Sequence, residues 1–276
     1  MYVPNFGKAA YARTLAELAV ESEKAGWDGF FLWDHLIEYD KRVPLVNSFT
    51  ALAAIAAKTK RIRIGTTVTP LPRLSPWEVA RQTVSLDHLS NGRLTLGVGL
   101  GGDESCGYKK FGEDPNKHVL AEKLDEALEI MTGLWSGKAV SHHGKHYHVE
   151  NRLFLPKPVQ KPRIPIWVGG MWPAKGPFRR AAKWDGVIPL KHPGRLVKPD
   201  DVRSILEYTK SQRVNNEPID VAVIGWTASK YREKNAEKVG SYFNAGMTWW
   251  LESLYTKRDF PKEMRVRIRK GPPRIR

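Results

Sequence analysis

One cysteine, Cys106, stands in 276 residues, so no disulfide can form within the chain, and a reducing compartment suits it. No apolar run approaches the roughly 20 residues that a membrane-crossing helix needs. The opening "MYVPNFG" lacks the basic-then-apolar pattern of a signal peptide. A soluble, cytoplasmic protein is therefore expected. Acidic residues are scarce at the other end: from Arg265 onward, "RVRIRKGPPRIR" carries six basic residues and no acid. The formal charge of +16 invites a nucleic-acid reading. Elsewhere, however, Lys and Arg are spread along the whole chain, and no nucleic-acid-binding signature accompanies the tail. A solvated basic surface that helps attract anionic ligands explains the charge more simply.

What is present is a regular alternation. Short apolar or β-branched runs read as eight strands: Tyr2–Phe6, Gly29–Asp34, Arg61–Thr69, Arg93–Gly99, Pro165–Gly169, Asp185–Leu190, Ile219–Gly225 and Thr248–Leu254. Amphipathic stretches such as "YARTLAELAVESEKAG" and "KHVLAEKLDEALEIMTGLW" lie between them, with apolar residues recurring at three and four. Gly26 and Gly246 sit where helices should stop, and Ser75-Pro76 and Pro199-Asp200-Asp201 where they should start. Strands alternating with helices imply parallel pairing through right-handed crossovers. Eight such units in this length predict an α/β fold, a (β/α)8 TIM barrel, as one domain over residues 1–276. A doubly wound sheet is the alternative, but no G-x-G-x-x-G opens a helix after the first strand.

The stretch from Gly137 to Pro165 breaks the alternation. "VSHH" and "HYHV" flank Gly144-Lys145 and predict a hairpin inserted between the fourth barrel helix and the fifth barrel strand. It holds four of the eight histidines, His142, His143, His146 and His148. Alternation splits them between two faces, and no cysteine or carboxylate is expected to join them, so no metal site is expected.

A barrel of this kind builds its chemistry at the C-terminal ends of its strands. That places Asp34 and His35, at the end of "GFFLWDHL", on the functional rim. "GTTVTP", "GVGLGGDE" and "WVGGMWPAKG" end the next strands in small residues, which let a flat ligand or a phosphate approach the backbone. Gly169 and Gly170, followed by Lys175, Gly176 and a helix starting near Pro177, form a candidate phosphate site, although glycines that merely turn the chain read the same way. On the substrate side the candidates are Trp226, Trp250 and Glu252. Trp249 and Trp250 must face opposite ways, and core packing suits each of these residues equally well.

"GWDGFFLWDHL", "KRIRIGTTVTPLPRLSPWEVARQTVSLDHLSNGRLTLGVGLGGD", "KLDEALEIMTGLWSGK", "PRIPIWVGGMWP" and "RRAAKWDGVIP" together resemble the bacterial-luciferase-like superfamily of flavin- and deazaflavin-dependent oxidoreductases. The resemblance covers nearly the whole chain. It implies the barrel with its insertion, often a homodimer, and reduced FMN or coenzyme F420 in the mouth. It further implies that Asp34 hydrogen-bonds the ring and that His35 faces the reacting centre, where the ordinary pKa range of an imidazole suits it to act as a general acid or to stabilise developing anion charge. Thr66, Thr67, Val68, Gly99, Gly101 and Gly102 would surround the cofactor, Gly169, Gly170, Lys175 and Gly176 would hold its phosphate, and Thr67–Val68 would be a non-prolyl cis peptide. One departure stands out. The sugar-phosphate dehydrogenases of this superfamily carry a Glu where this chain has Gly102; here the acids follow as Asp103 and Glu104.

With F420 the expected reaction is hydride transfer to or from a small organic substrate. With FMN it is monooxygenation, with a separate reductase supplying reduced flavin. The abundant Lys and Arg suit the polyglutamate tail of F420. Two other classes stay open: a barrel that holds a flavin-like ligand without turnover, and a basic-tail binder of nucleic acid or an acidic partner. For the tail, the spacing in "KEMRVRIRKGPP" also suits an ordinary eighth barrel helix.

Overall fold

The computed structural model describes residues 1–38, 42–192, 196–227, 232–255 and 261–274. Ile275 and Arg276, the end of the basic tail, lie outside the described residues. Eight parallel strands follow one another around a barrel in chain order: β1 (Tyr2–Val3), β2 (Gly29–Leu32), β3 (Arg63–Pro70), β4 (Leu94–Gly99), β7 (Ile166–Met171), β8 (Gly186–Leu190), β9 (Asp220–Gly225) and β10 (Trp249–Glu252). The ring closes where Tyr2 bridges Ser253 and the Leu254 amide donates to the Tyr2 carbonyl at 3.0 Å.

Helices α1 (Ala12–Lys24), α2 (Ser48–Lys58), α3 (Pro76–Leu89), α5 (Lys117–Trp135), α6 (Lys175–Ala181), α7 (Pro199–Ser211), α8 (Arg232–Phe243) and α9 (Pro261–Arg269) connect or follow the barrel strands. One further turn of helix, α4 (Asp103–Cys106), follows β4 and is too short to show a period in the sequence. The expected stops and starts are in place. Gly26 and Gly246 have φ of +86° and +100°, and Asp201 caps α7 by accepting the Lys198 amide at 2.7 Å.

β1 is shorter than the sequence implies. Pro4 has no N–H to continue the ladder, and the buried Asn5 side chain takes over. Its Nδ2 donates to the carbonyls of His35 and Val46, both at 2.9 Å, and its Oδ1 accepts the His35 amide at 3.1 Å.

Two apolar layers hold the fold. Tyr2, Phe31, Trp167, Ile188, Ala222 and Leu251 pack inside the barrel, with Trp249 beside them. Phe31 stacks on Trp167 at 5.2 Å, and Trp249 lies 5.5 Å from Trp167. The larger layer lies between strands and helices, which is why strands such as β2 and β4 are buried along their whole length. The basic end of the chain belongs to that outer layer. Arg265 pairs with Glu17 and Glu21, and Arg269 with Glu21, fastening α9 to α1.

The insertion is the expected hairpin, β5 (Val140–His143) against β6 (His148–Arg152), antiparallel. One expectation is corrected here: a carboxylate does stand with the histidines. Glu150 Oε1 lies 3.0 Å from His148 Nε2 and 3.7 Å from His143 Nε2, because residues two apart on a strand share a face.

Candidate functional site

Asp34 and His35 follow β2 at the C-terminal rim, and no bulge in β2 is needed to use both. They go to different surroundings. His35 joins an aromatic group, with its ring stacked on Phe6 at 5.1 Å and 5.2 Å from Trp33. Trp33 in turn packs on Tyr2 and Tyr255, both at 5.0 Å. His35 Nδ1 lies 3.1 Å from Glu38 Oε2, which leaves Nε2 as the nitrogen able to meet a reacting group. Burial lowers the His35 pKa, and the Glu38 carboxylate opposes that shift. The imidazole is therefore held toward its neutral form.

Asp34 faces Arg73, which ends the 3-10 turn Leu71–Arg73 after β3. The contact is a loose one, 3.6 Å from Arg73 Nη2 to Asp34 Oδ1, between side chains only 9% and 6% exposed. Burial raises the Asp34 pKa, and the Arg73 guanidinium only partly offsets this. Five buried side-chain nitrogen or oxygen atoms lack a hydrogen-bond partner among the described residues, and four of them belong to this rim: Trp33 Nε1, Asp34 Oδ2, Thr67 Oγ1 and Arg73 Nη1. Buried polar atoms are almost always partnered by protein or ordered water, so this rim is where the described side chains leave most hydrogen-bonding capacity unmet.

Beneath them the end of β3 is irregular. Thr67–Val68 is a cis peptide, as the resemblance implies, and the pairing with β4 shifts register between Thr66 and Thr69. The Thr66 hydroxyl is already committed. It donates to the Gly97 carbonyl at 3.0 Å and accepts the Thr69 hydroxyl at 3.0 Å, so Thr67 rather than Thr66 offers a hydroxyl to a ligand. Val68 occupies the space that Gly99 and Gly169 leave: a Cβ on either glycine would come within 2.8 Å of a Val68 methyl. Those two glycines therefore make room for a side chain of the chain itself. Gly101, at φ +73°, lies against Cys106 and Pro70, whereas Gly102 faces open space.

The phosphate candidates are placed less favourably. Gly170 admits Pro177 of α6, which begins two residues before the expected start. Lys175 Nζ sits between the Trp172 and Tyr208 rings, 4.3 and 4.2 Å from their centres, and Gly176 borders open space. On the substrate side two expectations are corrected. It is Trp249 that points into the barrel; Trp250 faces the helix layer, with its ring 5.4 Å from Tyr242 of α8. Glu252, on the same face as Trp250, is fully buried and accepts from the Trp250 indole at 2.8 Å, the Thr227 amide at 3.0 Å and Arg267 Nε at 3.0 Å. Neither residue faces the mouth. Trp226 is 53% exposed at the end of β9, and its carbonyl accepts Lys238 Nζ at 2.8 Å.

Asn5, Phe6, Glu38 and Arg73 join the site without having been singled out in the sequence. "PLPR" directly after a barrel strand is a signal that could have found Arg73, a cation fixed at the C-terminal rim. Nothing in the local sequence distinguishes Asn5 or Glu38.

The barrel, its hairpin insertion and its polar rim together define a (β/α)8 protein whose C-terminal mouth carries buried polar side chains. The sequence matches the profile of the luciferase-like monooxygenases over residues 4–243, and the chain belongs to that family. A curated relative, an F420-dependent glucose-6-phosphate dehydrogenase of Microbacterium testaceum, is 34% identical over 58% of this chain and 47% of its own length. The chain thus spans about half the length of such relatives. Among solved structures, the coenzyme F420-dependent tetrahydromethanopterin reductase of Methanopyrus kandleri superposes with a TM-score of 0.74 at 16% identity, covering 98% of this chain and 97% of that one. The oxygenating constituent of 3,6-diketocamphane monooxygenase of Pseudomonas putida, in complex with FMN, gives 0.73 at 17% identity, covering 98% and 96%. At these identities the structures establish the shared fold.

Proposed function

We propose that the mouth binds a flavin-type ring, coenzyme F420 in preference to FMN, and that the protein is an oxidoreductase acting on a small organic substrate. The observation that carries this reading is the group of buried, unpartnered polar atoms on Trp33, Asp34, Thr67 and Arg73. Leaving such a group unsatisfied costs about 1–3 kcal/mol. Four at one rim favour a polar, flat ligand that supplies both donors and acceptors. The edge of such a ring meets that need: its carbonyls match the indole N–H and the guanidinium, and its N–H matches the carboxylate. The relatives named for F420 support that choice of ring.

When bound, the deazaflavin supplies a carbon that accepts or gives a hydride. The accompanying proton falls to His35, at Nε2, because Nδ1 is turned to Glu38. A neutral imidazole, favoured here by burial, is the form that takes a proton from a substrate hydroxyl. Asn5 holds the His35 backbone, and Phe6 and Trp33 shield the ring from water, so the proton-handling group is preorganised. A sugar phosphate is not the proposed substrate. Gly102 offers no carboxylate, Asp103 Oδ1 is taken by the Lys109 amide at 2.9 Å, and Glu104 is exposed.

FMN-dependent monooxygenation, with reduced flavin delivered by a separate reductase, is the second reading; the FMN-bound neighbour supports it. Separate fluorescence titrations with F420 and FMN distinguish the two. Saturable quenching of F420 alone is the expected result, and quenching of FMN alone transfers the assignment to the second reading. Binding of neither overturns both.

A further inference from the structure

We propose that His143, His148 and Glu150 form a binding site for a divalent transition-metal ion on the outer face of the β5–β6 hairpin. The site is independent of the barrel mouth and of the function proposed for it.

His143 and His148 are direct partners across the two strands, and Glu150 lies two residues beyond His148 on the same face. Their rings are 4.5 Å apart, with the two Nδ1 atoms separated by 3.1 Å. One ligand atom from each of the three residues can be chosen so that all lie within 4.8 Å of one another. Metal–nitrogen and metal–carboxylate bonds of about 2.0–2.2 Å place two ligands of one ion roughly 3–3.6 Å apart. The distances of 3.0 and 3.7 Å from Glu150 Oε1 to the two Nε2 atoms are close to that spacing, so small side-chain rotations complete the chelate.

The other two histidines of the hairpin explain why this pair is available. His142 turns inward to Glu126 at 3.3 Å, and His146 to Glu122 at 2.8 Å, both on α5. Glu126 also accepts the backbone amides of Lys145, His146 and Tyr147, at 3.0, 3.1 and 3.1 Å, which ties the hairpin turn to the helix. The inner face thus anchors the hairpin and holds the outer face in register. On that outer face an ordinary ion pair accounts for one imidazole against one carboxylate. The two Nδ1 atoms share one N–H···N hydrogen bond, while both Nε2 atoms are turned to the same Glu150 oxygen, where a metal ion would take the place of a proton.

Two imidazoles and one carboxylate form a mixed nitrogen–oxygen set that suits Zn²⁺, Ni²⁺ and above all Cu²⁺. Three protein ligands leave further positions for water or a second molecule. His148 and Glu150 also line a cleft of about 470 Å³ with Trp77, Leu134, Val149, Arg152 and Phe154, so the ion stands at the edge of a partly apolar recess that also holds one guanidinium.

The test uses the untagged full chain, stripped with a chelator and titrated with Zn²⁺ or Cu²⁺ against a chromophoric competitor. Electron paramagnetic resonance of the Cu²⁺ form reads its nitrogen ligands. A single site with two nitrogen ligands is expected. His143→Ala and His148→Ala should each weaken it at least about tenfold, the loss that even supporting residues around a metal produce. Glu150→Gln should weaken binding while keeping the two-nitrogen signature, and His118→Ala, at the exposed start of α5, should leave the affinity unchanged. All three liganding residues are exposed, so circular dichroism should show every one of these variants folded. Equal metal affinity in the wild type and in the His143→Ala/His148→Ala double variant would overturn the proposal.

Discussion

Two buried ion pairs, Asp34–Arg73 and Glu252–Arg267, use the same chemistry at different places in the barrel, and they are finished differently. Around Glu252 nearly every polar atom has a partner. Arg267 Nε donates at 3.0 Å, Arg267 Nη2 donates to the Thr227 hydroxyl at 2.8 Å and Nη1 to the Gly271 carbonyl at 2.8 Å, and Trp250 and Thr227 complete the carboxylate. Around Asp34 the contact with Arg73 is loose, at 3.6 Å, the Thr69 and Ser48 hydroxyls also act on the carboxylate, and Oδ2 and Arg73 Nη1 have no hydrogen-bond partner among the described residues. A buried pair repays its desolvation only when the remaining lone pairs and protons are satisfied. The Glu252 network satisfies them within the chain and serves as structure, joining α9 to β10. The Asp34 pair does not, and it stands at the C-terminal rim of the barrel.

That contrast can be broken most forcefully at its structural end. Glu252→Ala should destabilise the fold by about 3–5 kcal/mol, the cost of stranding a buried partner charge, as read by denaturant unfolding. A loss under about 1 kcal/mol would mean that the network is dispensable and the contrast unfounded. At the functional end, His35→Ala should lower turnover by about 10²–10⁴-fold, the usual share of a positioned acid or base, with F420 affinity nearly unchanged. Normal turnover would remove His35 from the mechanism. A smaller effect follows from the burial of the same ring. The folded-state pKa of His35 lies below the ordinary value of about 6.5, so the unfolded chain takes up the proton first as pH falls. Stability should therefore decline from about pH 6.5 downward, until the pH reaches the lowered folded-state pKa. Unfolding at a series of pH values should show a shallower decline for His35→Gln, and identical slopes would contradict the assignment.

Much of this was legible in the residues, for reasons that also explain the misses. The barrel emerges from strand–helix alternation, and the rule that chemistry gathers at strand C-termini placed Asp34 and His35 on the rim. β1 stops early because Pro4 cannot donate, a local effect that hydrophobic pattern does not register. Trp250 and Glu252 were misplaced because strands covered on both faces are apolar throughout, so their pattern does not reveal which alternate residue points inward. Gly99 and Gly169 illustrate a different limit. A glycine can make room for a ligand or for a neighbouring side chain, and only the position of Val68 distinguishes the two. Glu150 escaped notice because its closeness to His143 depends on strand register across the hairpin.

The most direct measurement is the F420 affinity of Arg73→Met and Asp34→Asn, each paired with its melting temperature. Removing one charge-assisted hydrogen bond to the ring, about 1.5–3 kcal/mol, should weaken F420 binding roughly 10- to 150-fold. The melting temperatures should stay close to that of the wild type, because in the chain by itself these atoms satisfy little. Unchanged affinity together with a collapse in stability like that of Glu252→Ala would contradict the account, by making the Asp34 pair one more structural bridge.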